Sequence, residues 1–174
     1  MTAYMQFGKT IKGDATLEAL DGWINIHSFS WKIHWSVTTR AGMNGPRDAK
    51  HPSIDELTIK KESDNSSRYL LDAITRNTYS NPKGEDCVIR FLSTGQGSNI
   101  NEMIYQEFTF YDSLITSVQF DSSGDRPVET ITLNFTGIAM KVWPHGRGNM
   151  SREDPKAPAA AVIFDRYNKI PAKR

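Results

Sequence analysis

The four histidines are the first candidates for acid–base chemistry or metal binding. They are His27, His34, His51 and His145. His27 and His34 fall in one predicted strand at odd and even positions, so they face opposite sides of it unless the strand is bulged. Neither has a second ligand at the spacing that zinc sites use. We interpret the histidines as surface or packed residues, and we predict no metal site.

The candidate nucleophiles are serine and cysteine side chains. Ser28 is adjacent to His27 in sequence, and Ser30 is close to it. An adjacent strand residue points to the opposite face, and no G-x-S-x-G turn is present. Cys87 opens an apolar strand and has no catalytic signature around it. We therefore predict that none of them is a nucleophile, and that Cys87 is a small core residue.

Three carboxylates lie along one segment and could pair as acid and base: Glu102, Glu107 and Asp112. A solvated strand face explains them more simply. The glycine-rich stretches "GQGSN" and "HGRGN" lack the lysine and following helix of a phosphate-binding loop, so we interpret them as hairpin loops. We predict no catalytic residue and no cofactor. A hydrolase using Glu102 and Glu107 stays open as a minor hypothesis, because a catalytic site can gather distant residues.

An aromatic-rich run could in principle stack on nucleotide bases. Its members are Trp23, Phe29, Trp31 and Trp35. Only Lys32 and Arg40 accompany it, and the chain carries a net charge of +1, so no basic field favours nucleic acid. The run instead indicates a hydrophobic core or a subunit interface.

Composition describes the chain that must position these residues. It has 174 residues, of which 38% are hydrophobic and 24% are charged, as in an ordinary soluble protein with a single domain over 1–174. The single cysteine excludes an internal disulfide. The first residues lack the basic and apolar regions of a signal peptide, and no apolar run is long enough to span a bilayer. We expect a cytoplasmic protein without membrane insertion.

The hydrophobic pattern predicts mostly strands and one helix. The helix is expected at about 65–76, with a helical stripe of Tyr69, Leu70, Ala73 and Ile74. A long loop is expected at about 38–52 and a polar, proline-rich segment at about 145–160. The main predicted strands are 23–37, 86–94, 102–121, 129–143 and 161–169.

Several of these strands change the face on which their apolar residues lie. In 129–143 the apolar positions are Ile131, Leu133 and Phe135 before Gly137, and Ile138, Met140 and Val142 after it. An inserted residue at or beside Gly137 would keep both sets on one core. The strand 102–121 is too long to stay flat, and we expect it to bend near Asp112 and Ser113. Bent strands and one short flanking α-helix indicate a closed or nearly closed antiparallel β-barrel.

The order of these pieces resembles the haemolysin-coregulated protein (Hcp) family of type VI secretion systems. The resemblance runs through "GWINIHSFSWKI", "SIDELTIKKESDNSSRYLLDAI", "YDSLITSVQF" and "DRPVETITLNFTGIAMKVWP" to the closing "VIFDRYNK". It implies a β-barrel subunit that assembles into hexameric rings, and rings that stack into the tube expelled by a contractile sheath behind a spike. It also implies a structural protein rather than an enzyme, present in the bacterial cytoplasm and then secreted without a signal peptide. Effectors carried or chaperoned in the lumen are further implied partners.

Within this resemblance, the loop 38–52 matches the family's extended loop, which reaches to a neighbouring subunit. The subunit-interface residues expected from it are Thr39, Arg40, Asn44, Arg47, Asp48, Lys50 and His51. The alternative is a monomeric β-barrel that binds a small ligand in its mouth.

Overall fold

The computed structural model describes residues 2–34, 37–38, 48–49, 52–76, 85–93, 104–122, 124–143, 160–165 and 170–171. The elements in this part of the chain are mainly strands, with one α-helix and one short 3-10 helix at Glu18–Leu20. Strands β1 to β7 are Thr2–Phe7, Ile24–Ile26, Ser28–Ser30, Ile33–His34, Val37–Thr38, Asp48–Ala49 and Ser53–Ile54. Then follow β8 (Leu57–Glu62), α1 (Ser67–Arg76), β9 (Glu85–Leu92), β10 (Ile104–Asp121), β11 (Val128–Asn134), β12 (Gly137–Val142), β13 (Ala160–Asp165) and β14 (Ile170–Pro171).

Ten of these strands form one antiparallel sheet that turns a corner. On one side of the corner the order is β2, β1, β9, β10, β12, β13 and β14. On the other side the order is β10, β11, β8 and β3, and we call these four strands the short sheet. Strand β10 serves both parts: Gln106–Tyr111 pair with β12, and Leu114–Asp121 pair with β11. The predicted antiparallel β-architecture with a short helix is therefore confirmed.

The corner lies where the sequence predicts the bend. Asp112 has φ 48°, a left-handed conformation that aspartate tolerates better than most residues. The pairing of β10 with β9 shifts register between Phe110 and Ser113. Ser113 is buried and donates a hydrogen bond from Oγ to the Phe110 carbonyl at 3.0 Å. The bend thus changes the direction of the strand without leaving this buried hydroxyl unsatisfied.

The predicted inserted residue at Gly137 is wrong. Leu114 pairs with Asn134 and Tyr111 pairs with Gly137, so both chains advance by the same number of residues across the corner. The nearest register shift between β10 and β11 lies on β10, between Ile115 and Ser117. At the corner, β10 and the chain from β11 to β12 stop pairing over the same number of residues. Because the two chains bend together, neither needs an extra residue.

The main core nevertheless contains apolar residues from both sides of Gly137. Phe135 and Ile138 are both buried in it, and Met140 packs against it. Phe110 lies at its centre, fully buried, with its ring centroid 4.9 Å from that of Phe135 and 6.1 Å from that of Phe108. Phe29 and Trp31 pack on the same core, as predicted for the aromatic run, whereas Trp35 lies outside the described residues.

A second, smaller cluster covers the other face of the sheet at β1 and β9. Its buried members are Tyr4, Ala15, Leu20, Trp23, Leu92 and Ile104. Five backbone hydrogen bonds within the segment between β1 and β2 hold it over this cluster, including Ala15 N–H to the Trp23 carbonyl at 3.0 Å. A Cβ on Gly13 would lie 2.5 Å from the Trp23 carbonyl oxygen, so only glycine allows this close approach.

Helix α1 begins two residues after the predicted start and ends where predicted. Leu70 and Ala73 are buried and Ile74 packs against the main core. Tyr69, the first member of the helical stripe, is 39% exposed. Its ring lies beside the Arg68 guanidinium, with 4.5 Å from Cζ to the ring centroid.

The predicted loop 38–52 is partly strand. Val37 and Thr38 of β5 pair with Ala49 and Asp48 of β6, and β4 pairs with β7 nearer the sheet. These two antiparallel pairs follow one another and make a two-stranded ribbon outside the ten-stranded sheet. We call the four strands β4 to β7 the arm. The polar segment 145–160 lies outside the described residues except Ala160, which begins β13.

Among the described strands, the pairings do not close a barrel. The path has ends at β2, β3 and β14. Strands β2 and β3 follow one another with only His27 between them, and they pair with different partners, β1 and β8. Barrel closure at this junction stays a prediction.

Candidate functional site

The short sheet has two edges without a strand partner in the described part of the chain. Along Ser117–Asp121, β10 pairs with β11 on one side only. Strand β3 pairs only with β8. Unpaired N–H and C=O groups along such an edge can accept a strand from another chain. The β10 edge also exposes two large apolar side chains, since Leu114 is 37% and Phe120 is 48% exposed.

One face of the short sheet carries polar side chains, among them one lysine, in two cross-strand rows. Ser28 pairs with Lys60, Lys60 with Thr130, and Thr130 with Gln119. The next row is Ser30, Thr58, Thr132 and Ser117. Between these rows lies the row of Phe29, Ile59 and Ile131, whose side chains point to the opposite face and join the main core. The short sheet therefore separates a hydrophobic core from a polar surface.

At the corner end of this polar surface, the Glu56 carboxylate bridges two strands. It accepts hydrogen bonds from Asn134 Nδ2 at 3.0 Å and from Thr116 Oγ1 at 3.2 Å. Thr116 is the residue at the register shift of β10. The carboxylate thus ties the irregular part of the edge strand to the strand beside it.

A buried charged cluster joins the short sheet to helix α1. Lys61 and Glu129 are fully buried cross-strand partners, with 3.0 Å between Lys61 Nζ and Glu129 Oε2. Lys61 Nζ also lies 2.9 Å from Asp64 Oδ1 and donates to Ser67 Oγ at 3.0 Å. Ser63 Oγ donates to Glu129 Oε1 at 2.6 Å. Asp64 accepts hydrogen bonds from both the N–H and the hydroxyl of Ser66, directly before the helix.

A second charged group crosses three strands on the outer face of the sheet. Glu107 of β10 receives hydrogen bonds from Arg90 Nε of β9 at 2.7 Å and Lys141 Nζ of β12 at 2.9 Å. Burial alone would raise the pKa of Glu107, but the hydrogen bonds and positive charges of Lys141 and Arg90 outweigh it and hold the pKa below its usual value. Arg90 also lies over the Trp23 ring, 4.7 Å from its centroid.

This geometry bears on the acid–base hypothesis. Glu107 is held as a carboxylate by two cations, which opposes a role as a proton donor. Asp112 lies at the corner and accepts a hydrogen bond from Thr136, whereas Glu102 lies outside the described residues. The predicted pairing of Glu102 with Glu107 therefore stays a hypothesis.

The other candidate residues are also dispersed. His27 lies 3.6 Å from Glu62, and His34 lies 3.7 Å from Asp55, while His51 and His145 are outside the described residues. No group of three or more potential metal ligands occurs in the described ranges. Cys87 is buried in the core as predicted, and burial, with a smaller contribution from Asp86, raises the pKa of its thiol far above the usual range.

One of the predicted interface residues lies in the described part of the arm. Asp48 lies in β6, and the other six, Thr39, Arg40, Asn44, Arg47, Lys50 and His51, lie outside the described residues. The sequence did not predict two features of the site, the open β10 edge and the buried Lys61. Lys60 and Lys61 read as a charged strand end, and only the alternation of Leu57, Ile59 and Lys61 could have indicated that Lys61 points inward.

Comparison with known proteins identifies the family. Residues 4–142 match the sequence model of the family described as type VI secretion system effector, Hcp. The chain belongs to the Hcp family. As a family member it is a structural subunit of the type VI secretion tube, which agrees with the function that the sequence resemblance implies.

Solved structures share the fold of this Hcp chain at low sequence identity. A type six secretion system protein superposes with a TM-score of 0.81 at 15% identity, over 98% of this chain and 99% of that one. Hcp1 from Salmonella typhimurium superposes with a TM-score of 0.72 at 16% identity, over 98% of each chain. A chain of an extracellular contractile injection system, the PVC sheath–tube complex in its extended state, gives 0.53 at 18% identity, over 80% of this chain and 88% of that one.

Direct comparison with curated proteins gave no match. Among the described residues, no helix is both long and apolar enough to cross a membrane.

Proposed function

We propose that this Hcp chain assembles into closed six-membered rings that stack into the inner tube of a type VI secretion system. The match to the Hcp family over residues 4–142 carries the proposal. In this assignment a contractile sheath surrounds the tube and a spike lies at its tip. The protein resides in the bacterial cytoplasm before firing and is then secreted, and it needs no catalytic residue or cofactor.

The two open edges of the short sheet support a ring. Strands β10 and β3 lie at opposite ends of the same four-stranded sheet. If the β10 edge of one subunit pairs with the β3 edge of the next, the contact is heterologous, and such contacts close into a ring when the rotation between subunits allows it. The short sheets of all subunits then form one continuous sheet with no edge left exposed.

The polar rows support the position of the lumen. In the proposed ring the continuous sheet presents Ser28, Thr58, Thr130 and their row neighbours on one face. The same strands bury Ile59 and Ile131 on the other face. We assign the polar face to the lumen, where transported effectors would meet hydroxyl and amide groups and the Lys60 ammonium group rather than an apolar surface.

The arm is the second proposed contact. As a two-stranded ribbon that leaves the sheet, it can reach a neighbouring subunit. We assign to it the predicted interface residues Thr39, Arg40, Asn44, Arg47, Asp48, Lys50 and His51. Docking of the arm would orient adjacent subunits or adjacent rings. Barrel closure at the β2–β3 junction would fix the position of β3, and the arm begins directly after β3.

The alternative of a ligand-binding barrel has less support from the described core. Four aromatic rings meet there in direct contact, from Phe29, Phe91, Phe108 and Phe110. Packed side chains between the two parts of the sheet fill the place where a barrel would hold a ligand. A monomer that retains a small molecule in native mass spectrometry would favour this alternative.

The decisive experiment is size-exclusion chromatography with multi-angle light scattering, followed by negative-stain microscopy. We expect a species with six times the mass of the chain and ring-shaped particles. A protein that stays monomeric at high concentration and shows no rings would contradict the proposal.

A further inference from the structure

The buried cluster around Lys61 has more charge than stability requires. Lys61 and Glu129 are both fully buried, and a buried ion pair often stabilises a protein no more than apolar residues of the same size would. The neighbouring strand residues Leu57 and Ile59, which point the same way as Lys61, are apolar. A methionine at position 61 would continue that pattern. The presence of a lysine here therefore calls for a role other than stabilising the core.

The directional bonds of the cluster indicate that role. The Lys61 ammonium group donates to the Glu62 carbonyl at 2.8 Å and to Ser67 Oγ at 3.0 Å, and it pairs with Glu129 and Asp64. Ser67 is the first residue of α1, and Glu129 belongs to β11. Each of these bonds has a narrow range of lengths and angles, so together they allow one position of the helix start relative to the strand.

The cluster also lies beside the open edge. Glu129 is the cross-strand partner of Phe120, which is 48% exposed on the edge strand β10. The order across the sheet is therefore Phe120, Glu129 and Lys61, and Lys61 of β8 donates to Ser67 at the start of the helix. The start of α1 is thus linked through Glu129 to the edge strand β10, where a neighbouring subunit would arrive.

The charges balance only when the helix is docked. Two carboxylates, Glu129 and Asp64, surround one ammonium group, which leaves one excess negative charge. The N-terminus of a helix carries a partial positive charge, and α1 begins directly at the cluster. Undocking of the helix would take this partial positive charge away from the excess carboxylate, so intermediate positions are disfavoured.

We propose that the Lys61–Glu129–Asp64 cluster is a positioning device, which fixes α1 against the short sheet beside its assembly edge. Apolar packing of Leu70 and Ala73 holds the helix down, and the charged cluster selects its place along the sheet. The part that concerns assembly rests on the proposed ring. The part that concerns the helix does not.

The test compares single and paired substitutions. Lys61→Met alone leaves Glu129 and Asp64 without their cation, and we expect the Tm to fall by roughly 10 °C. Lys61→Met combined with Glu129→Leu should recover most of that loss, because both buried charges are gone. Hydrogen exchange of the amides of α1 should nevertheless remain at least about tenfold faster in the paired variant than in the wild type. Lys60→Met, at the exposed neighbouring position, is the matched control and should change neither quantity.

Two outcomes would overturn the proposal. The first is a paired variant whose α1 amides exchange as slowly as in the wild type, since the helix would then be held without the cluster. The second is a paired variant as unstable as Lys61→Met alone, because the charges would then have been stabilising the core. Ring formation is a separate measurement. Wild-type protein that forms no rings would contradict the proposed function, whereas hydrogen exchange tests the positioning role whether or not rings form.

Discussion

Thr136 donates a hydrogen bond from Oγ1 to Oδ2 of Asp112 at 2.9 Å, across the corner where the sheet changes direction. The backbone repeats the link, since Thr136 N–H donates to the Tyr111 carbonyl at 3.0 Å. Asp112 has the only left-handed conformation among the described non-glycine residues. The two side chains therefore hold together two strands that both leave the ladder at the same level.

We predict that Thr136→Val lowers the free energy of unfolding by about 1 kcal/mol, because it removes one hydrogen bond at a partly buried site. Asp112→Ala should cost more, since alanine loses the acceptor and also disfavours φ 48°. Asp112→Asn keeps an acceptor and tolerates this conformation, and it is the matched control. Urea unfolding measures the series. Equal stability of the alanine and asparagine variants would show that neither the bond nor the conformation matters.

We predict that Glu107 makes the free energy of unfolding depend on pH in the acidic range. Its pKa is lower in the folded protein than its usual value, so its contribution is present above the usual glutamate pKa and is lost as the pH falls through the lower folded pKa. Glu107→Gln should therefore destabilise the protein near pH 7, and the difference from the wild type should shrink below ~pH 4. Urea unfolding at a series of pH values checks this. Glu18→Gln, at an exposed position, is the control and should leave the pH profile unchanged.

We predict that Phe110→Ala lowers the free energy of unfolding by about 3–5 kcal/mol. Phe110 is fully buried, and its ring contacts those of Phe108 and Phe135, so truncation leaves a cavity in a rigid aromatic cluster. The control is Phe120→Ala, a truncation of the same size at a side chain that is 48% exposed, which should cost less than about 1 kcal/mol. Thermal or urea unfolding of the monomeric forms distinguishes the two. Similar losses at both positions would mean that the core is not centred on Phe110.

We predict that Phe120→Lys prevents ring assembly without unfolding the subunit. A lysine on an edge strand opposes pairing with another strand, because its charge would have to be buried in the contact. The matched control is Leu71→Lys on α1, where the leucine is 42% exposed and belongs to no strand of the sheet. Light scattering gives the mass of each variant. If Phe120→Lys forms rings as readily as Leu71→Lys, the β10 edge is not the contact.

We predict that shortening the arm separates folding from assembly. Replacing residues 37–50 by a short turn retains the pairing of β4 with β7 and leaves the ten-stranded sheet intact. The Tm should change by only a few degrees, whereas ring formation should weaken strongly. Circular dichroism and light scattering measure the two effects. A shortened protein that assembles normally would remove the arm from the subunit contact.

Much of the architecture follows from local patterns in the sequence. The alternation of Ile131, Leu133 and Phe135 specifies a strand with one buried face, because side chains alternate along a strand whatever its neighbours are. The helical stripe of Leu70, Ala73 and Ile74 specifies α1 in the same way. The bend at Asp112 and the burial of Cys87 could also be predicted, and the order of motifs was enough to identify the Hcp family.

Only the tertiary structure decided the features that depend on distant pairing. Gly137 was expected to carry an inserted residue, but the register is set by which residues of β10 it faces, and the shift lies on β10 instead. Lys61 looked like part of a charged strand end until Glu129 was placed beside it. The open edge of β10 is likewise invisible in the sequence, because an edge is defined by the strands that do not pair there. Local periodicity fixes which face of each strand is apolar, whereas the identity of the neighbouring strand is decided by the whole chain.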